Sequence, residues 1–275
     1  MRLTIRHRTA YAYAPPALRA ALRLRLWPSR FEAQTPIAWR VSVNGEAVAP
    51  LLEDGFGDAV GQWHAHAPVE TVEAIAEGVV ETRDAAGVVR GLPGARAVGV
   101  FLRATELTAA DEGLRDLARS VADEGDALAR LHALNAAVHA AVAYRPGVTG
   151  ADTAAARALA LGAGVCQDHA HVFIAAARVM GVPARYVAGY MLAGEDAPEG
   201  GHETHAWAEA HVEDLGWVAF DPSLGVCPAE AHVRLSAGLD ARAAAPVRGA
   251  VTGASTETLE ARVDIARAAE AQAQQ

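Results

Sequence analysis

At 275 residues, 52% hydrophobic and 21% charged, the chain has the composition of an ordinary soluble globular protein, long enough for one large domain or two smaller ones. A formal net charge of −9 argues against general nucleic-acid binding, which leaves a basic footprint. No apolar run reaches the length of a membrane span, and the opening MRLTIRHRTAYAYAPP lacks the apolar stretch of a signal peptide. A cytoplasmic location without membrane association is therefore expected, and in that reducing compartment two cysteines are expected to remain thiols.

The first hundred residues carry strand patterning. In LTIRHRTAYAY, the residues Leu3, Ile5, His7, Thr9, Tyr11 and Tyr13 alternate with Thr4, Arg6, Arg8, Ala10 and Ala12, which puts the aromatics on one face of a sheet. LRAALRLRLWP sets Leu22, Leu24 and Leu26 against Arg23 and Arg25. IAWRVSV, AVGQWHAHAP and VETVEAIAEG follow, separated by Asn-Gly, Asp-Gly and Pro turn signals. Residues 1–100 are expected to form an antiparallel β domain.

Helical patterning then takes over. Thr108 is expected to start a helix with Asp111 and Glu112 in its first turn. A second helix follows Gly125, with Leu128, Leu131, Leu134 and Val138 on one face, and a short one runs from Thr153 to Gly162. The stretch GVCQDHAHVFIAAARVMGVPARYVAGY places Cys166 in the first turn of a helix that Gly181 caps and Pro183 prevents from continuing. ARYVAGY, THAWAEAHVE and WVAFDPS read as strands, as do HVRLSAG and TETLEARVDIA. The expected division is a core over 101–262, including the C-terminal strands, and a polar tail over 263–275.

A cysteine at a helix start is a candidate nucleophile, because orphan N–H groups and the helix dipole favour a thiolate and can also hold an oxyanion. The competing reading is a small packed core residue. A base and an orienting group decide between them, and both have candidates downstream. HETHAWAEAHVEDLGWVAFDPS reads as two strands joined at Asp214-Leu215-Gly216, with His205, Trp207, Glu209 and His211 on one face and Trp217, Ala219 and Asp221 on one face of the next. Antiparallel pairing brings His205 and Asp221 opposite or diagonal to each other. If they meet on the face that the 166–180 helix covers, Cys166, His205 and Asp221 make a thiol, base and orienter. Glu209, on the face of His205, is a rival orienter.

Gly164, Gln167 and Trp207 are the candidate substrate contacts: Gly164 for close backbone approach, Gln167 at the border of the acyl site and Trp207 as its wall. Asp168 is expected to anchor the loop, His171 to lie in the core near the cysteine and His169 to be partly exposed. Cys227 is expected to be structural. The 192–203 segment LAGEDAPEGGHE is a candidate lid. No metal site is expected. HETH is one residue short of H-E-x-x-H and leads into a strand, while His169 and His171 lie two apart on a helix and face different ways.

GVCQDHAHVFIAAARVMGVPARYVAGY followed by HAWAEAHVEDLGWVAFDPS resembles the core of the transglutaminase-like superfamily, AYRPGVTG resembles the segment upstream of its cysteine, and the His7, Thr9, Tyr11, Tyr13 pattern resembles the β domain preceding that core in bacterial members. The resemblance implies an α+β fold with an N-terminal antiparallel β domain and a papain-like core, its cysteine helix packed on an antiparallel sheet. It implies a triad of Cys166, His205 and Asp221 and acyl transfer from an amide through a thioester. A protein or peptide would be the amide donor, an amine or water the acceptor, and no cofactor is called for. The chain departs from the family's pattern at His169, where an aromatic residue is common, and at Leu239-Asp240-Ala241, where Arg-Asp-Tyr is usual. Neither touches the triad. The alternatives are a binding or scaffold protein that keeps the fold without catalysis, and a metal-dependent hydrolase.

Overall fold

The computed structural model describes residues 1–92, 98–192 and 204–268. Seven strands open the chain: β1 (Arg2–Ala17), β2 (Arg19–Leu24), β3 (Gln34–Val43), β4 (Glu46–Val48), β5 (Leu52–Glu53), β6 (Ala59–His64) and β7 (Val69–Thr82). After β8 (Val88–Val89) come α1 (Glu112–Ser120), α2 (Ala127–Ala141), β9 (Ala143–Tyr144), α3 (Ala155–Leu161), β10 (Ala163–Gly164) and α4 (Cys166–Val179). The chain continues through β11 (Ala184–Met191), β12 (Thr204–Val212), β13 (Gly216–Phe220), β14 (His232–Gly238), α5 (Ala241–Ala244), β15 (Val247–Thr252) and β16 (Thr256–Arg267). The fold is α+β, with antiparallel sheets in both parts.

The alternation in β1 has two destinations. Tyr11 and Tyr13 join Leu22, Leu24, Val41 and Val72 in the core between two sheets, ordered β16-β1-β7-β3-β4 and β15-β2-β6-β5. Leu3 and Ile5, nearer the start of the strand, instead pack with Val233, Leu235 and Tyr190 of the second part. One strand thus serves two cores. At the junction His7 bonds Tyr190 Oη through Nδ1 (2.9 Å) and Thr9 Oγ1 through Nε2 (2.9 Å), so both ring nitrogens are occupied. Burial lowers the His7 pKa to about 4, and the neutral ring suits this apolar seam.

The expected boundaries require correction at the C-terminus. β15 pairs with β2 and β16 pairs with β1 along its length, so both complete the N-terminal sheets rather than the core. Val263 and Ile265, placed in the tail by the reading above, are buried. The reason is edge satisfaction: without β16 the long β1 would expose a row of unpaired backbone groups. In exchange, β8 leaves the first hundred residues and pairs with β13. Two local expectations also shift. Helix α1 starts at Glu112 because Asp111 is its N-cap, accepting from Leu114 N at 3.0 Å. Arg25 is 4% exposed rather than on the solvent face, its guanidinium paired with Asp54 at 2.7 Å.

The second sheet, ordered β14-β11-β12-β13-β8, carries α4 on one face. Ala206, Ala208 and Ala210 face the helix and meet Ala170, Ala176 and Ala177 in one cluster. Small side chains on both sides let helix and strand approach closely. Helix α4 ends at Val179, and Gly181, at φ +77°, reverses the chain as expected.

Candidate active site

Cys166 is the first residue of α4 and is half-buried. Asp168, in the third position, accepts from the Val165 N–H (2.8 Å) and from Thr149 Oγ1 (2.6 Å), closing the helix start and tethering the 149 loop to it. This is the anchor the sequence suggests. It also gives Gly164 a structural reason: a Cβ there would lie 2.6 Å from the Asp168 carboxylate, so the missing side chain makes room for Asp168. Gln167 reaches Ala151 O (3.2 Å) across the same loop.

His205 lies at the beginning of β12. Since Ala208 pairs with Phe220, one further step places Trp207 across from Asp221 and His205 on its diagonal. His205 Nε2 meets Asp221 Oδ2 at 2.6 Å. That leaves Nδ1 free to serve Cys166, the other side chain that acts on this imidazole. The three residues expected from the sequence are thus brought together, with one geometric difference. His205 shares its face with Trp207 and Glu209, while the alanines between them face α4. The imidazole reaches the cysteine where the strand begins and the helix starts, and not beneath the helix.

The carboxylate of Asp221 is fully enclosed and receives four donors. Oδ1 accepts from Ser223 N (3.1 Å) and Ser223 Oγ (2.6 Å); Oδ2 accepts from His205 Nε2 and, at 3.2 Å, from His232 Nε2. Burial opposes its charge, but the bonds from His205 and His232, the His205 charge and Ser223 hold it well below the usual carboxylate range. Burial likewise opposes charge on His205, yet hydrogen bonds to Asp221 and Cys166 and the charges of both raise it to about 10. An imidazolium beside the thiol is the state these contacts favour.

Glu209, the rival orienter, is taken up elsewhere: Arg185 Nε (2.6 Å) and Arg234 Nε (2.9 Å) both donate to it. Trp207 is 2% exposed, its ring lying against Gly189, where any Cβ would clash at 2.5 Å. It backs His205 and His232, with ring centroids 6.1 and 5.5 Å away, and so stands behind the imidazoles as a buried wall. His169 is fully buried rather than partly exposed, because Nδ1 and Nε2 face the carbonyls of Val165 (2.8 Å) and Val142 (2.7 Å). His171 accepts from Ala241 N at 3.0 Å, and burial brings it to about 4. The segment 193–203, which contains His202 and nearly all of the candidate lid, lies outside the described residues.

His232 and Ser223 are the additions that sequence reasoning missed. Ser two residues after Asp is a local turn signal that would have found Ser223. Nothing local marks His232, whose strand arrives from the far side of β11. Among the described residues, His205, Asp221 and His232 are also a group whose ligand atoms lie within 4.8 Å of one another, a spacing that could hold a metal ion. Here one carboxylate oxygen serves both imidazoles. The CQDHAH set is not assembled for a metal, since His169 and His171 bond to backbone on separate sides of the helix.

The two thiols differ sharply in their surroundings. Burial first, and Asp84 second, push the Cys227 thiol up, whereas Cys166 sits beside the His205 imidazole. At pH 7, iodoacetamide is expected to label Cys166 roughly tenfold faster or more than Cys227, measured by site-resolved mass spectrometry. Equal rates would contradict an activated Cys166.

Comparison with known proteins agrees with this arrangement in both parts of the chain. Residues 115–222 match the Transglutaminase-like superfamily and residues 3–81 the Bacterial transglutaminase-like N-terminal region. An uncharacterised protein of Mycobacterium leprae is 30% identical over 283 residues, covering 98% of this chain and 99% of that one. A protein-glutamine gamma-glutamyltransferase of Pseudomonas aeruginosa is 36% identical over 125 residues, 40% of this chain and 19% of its own. The solved structure named "Putative Cysteine Protease" from Cytophaga hutchinsonii superimposes with a TM-score of 0.76 at 21% identity, covering 97% of this chain and 90% of that chain, and so shares the fold. No helix among the described residues is long and apolar enough to cross a membrane. With its cysteine helix, its histidine and aspartate strands and its N-terminal sheets in this order, the chain belongs to the transglutaminase-like superfamily.

Proposed function

We propose that the chain is a cysteine acyltransferase or amidohydrolase that breaks an amide bond through a thioester on Cys166. The observation that carries this is the chain of contacts from the Cys166 thiol to His205 and from His205 Nε2 to Asp221 at 2.6 Å, at the start of a 14-residue helix. The Cys166 thiolate attacks the amide carbon. The developing oxyanion is met by the N–H groups of Cys166 and Gln167, since those of Asp168 and His169 already donate to Val165 O. The C–N bond then breaks, His205 Nδ1 gives its proton to the departing amine, and the acyl group remains on sulfur. An amine or water next attacks the thioester while Nδ1 takes its proton, and the thiolate leaves. Asp221 keeps the imidazole in the orientation that serves both steps.

The Pseudomonas and Cytophaga proteins, named as a glutamyltransferase and as a "Putative Cysteine Protease", stand for the two fates open to this one intermediate. Incubation with casein and a fluorescent primary amine tests the proposal directly. Cys166-dependent incorporation of the amine marks transamidation, and Cys166-dependent new peptide termini mark hydrolysis. If wild type and Cys166→Ala give the same products, the proposal fails.

A further inference from the structure

His232 comes from β14, which is hydrogen-bonded on both sides. One edge pairs with β11, and the other meets the N-terminal domain: Gln34 exchanges bonds with Arg234 N (2.7 Å) and Arg234 O (2.8 Å), and Ser29 N donates to the same carbonyl. Thr82, the last residue of β7, donates to Glu230 O at 2.6 Å, two residues before His232. The imidazole itself is 7% exposed. Its Nδ1 faces the Ala229 N–H at 3.4 Å and is an acceptor there, so the proton lies on Nε2, which points at Asp221 Oδ2.

We infer that His232 is a positioning residue for the triad: with Ser223 it pins the Asp221 carboxylate at both oxygens, and its seat is built by the N-terminal domain. Ser223 holds only Oδ1. Without His232, Oδ2 is held by His205 alone, the group that the carboxylate has to orient. The carboxylate plane can then turn about its Ser223 anchor, and His205 turns with it. Facing His232 are Asp221, the His205 and Trp207 rings and, around the cavity of about 40 Å³ that it lines, Glu209, Arg234 and Arg83. Glu209 and Arg234 are paired with each other, which leaves Asp221 as the partner of Nε2.

The inference rests on the proposed triad, and its test needs no acyl donor. Cys166 alkylation by iodoacetamide is followed across pH in wild type, His232→Ala, His232→Asn, His232→Gln and His205→Ala, with thermal unfolding of each. The Gln amide nitrogen occupies the place of Nε2 and can donate to Asp221; that of Asn occupies the place of Nδ1 and cannot. His232→Ala and His232→Asn are expected to slow alkylation about tenfold at pH 7, and His232→Gln to stay within about twofold of wild type. In the two slow variants, Asp221 has lost a competing donor and holds the His205 proton harder, so the alkaline inflection moves to higher pH; in His232→Gln it does not. Equal rates and one pH profile throughout would overturn the inference. So would an equal fall in all three His232 variants without movement of the inflection, which is what loss of packing produces. If His205→Ala alkylates like wild type, the triad fails and this inference with it. His232 effects of the stated pattern in a protein that transfers no acyl group would fail the amide chemistry alone.

Discussion

Replacing His205 with alanine is expected to lower the proposed acyl transfer roughly 10³–10⁴-fold, the range set by loss of a positioned base that also serves as the acid. Cys166→Ala should abolish it, and the double variant should be no worse, because residues acting as a unit do not contribute additively. The pH profile carries the sharper signature. In the proposed acylation step His205 must hold a proton to release the leaving amine, and its pKa is raised to about 10. The kcat/KM, which reports the free enzyme, therefore shows no fall near the ordinary imidazole value of about 6.5 and declines as pH rises through about 10. The same shift has a stability consequence of fixed sign. A group whose folded pKa is raised stabilises the fold fully below its unfolded value and loses that contribution as pH rises through the folded one. His205→Ala should thus be less stable than wild type at neutral pH, with the difference shrinking towards pH 10. Initial rates of amine incorporation or peptide release, taken on protein shown to be folded by circular dichroism, check both statements.

Much of this site was legible because its signals are local. A helix that starts at Cys166 follows from the run to Met180, the Gly181 cap and Pro183, and the structure keeps it. The period of two in β12 and β13 puts His205 and Asp221 on a common face, while the register, opposite or diagonal, waited for the pairing of Ala208 with Phe220, and the alanines rather than His205 proved to face α4. Legibility ended where contacts are distant in sequence. His232 and Ser223 bond the same carboxylate, but Ser223 is two residues from it and His232 is eleven, on a strand that joins the opposite edge of β11. The return of β16 to β1 is a choice of edge, and an alternating strand such as TETLEARVDIA fits any open edge with an apolar face beneath it. The packing roles of Gly164 and Trp207 were hidden for a related reason. A glycine beside a nucleophile and an aromatic beside a base look like substrate contacts alone, until Asp168 is found in the space that Gly164 leaves and the Trp207 ring in the space that Gly189 leaves.

Glu209→Gln is expected to cost about 3–5 kcal/mol of folding stability, the range for removing one partner of a buried ion pair. Glu209 and Arg185 are wholly buried, and Arg234 and Asp58 nearly so. Two cations and two carboxylates balance. Arg185 contacts Glu209 Oε2 through Nε (2.6 Å) and Nη2 (2.5 Å), and its guanidinium lies 3.9 Å from the Trp217 ring centroid. Arg234 Nη1 bonds Ser29 Oγ at 2.7 Å and contacts Asp58 at 3.3 Å. Removing the Glu209 charge leaves Arg185 with an aromatic face and no anion in contact, and a neutral amide recovers little of that loss. Burial alone would push the Glu209 pKa up, but Arg185 and Arg234 together hold it below the ordinary value. Its contribution is therefore present above the unfolded carboxylate range, near pH 4, and is lost as pH falls through the depressed value. Urea unfolding at pH 7 should show a lower midpoint with an unchanged slope. The gap between variant and wild type should close under acid, as the wild-type carboxylate takes up its proton. A gap that stays constant down to pH 2 would mean that the loss is one of shape, and that the charge of Glu209 contributes nothing.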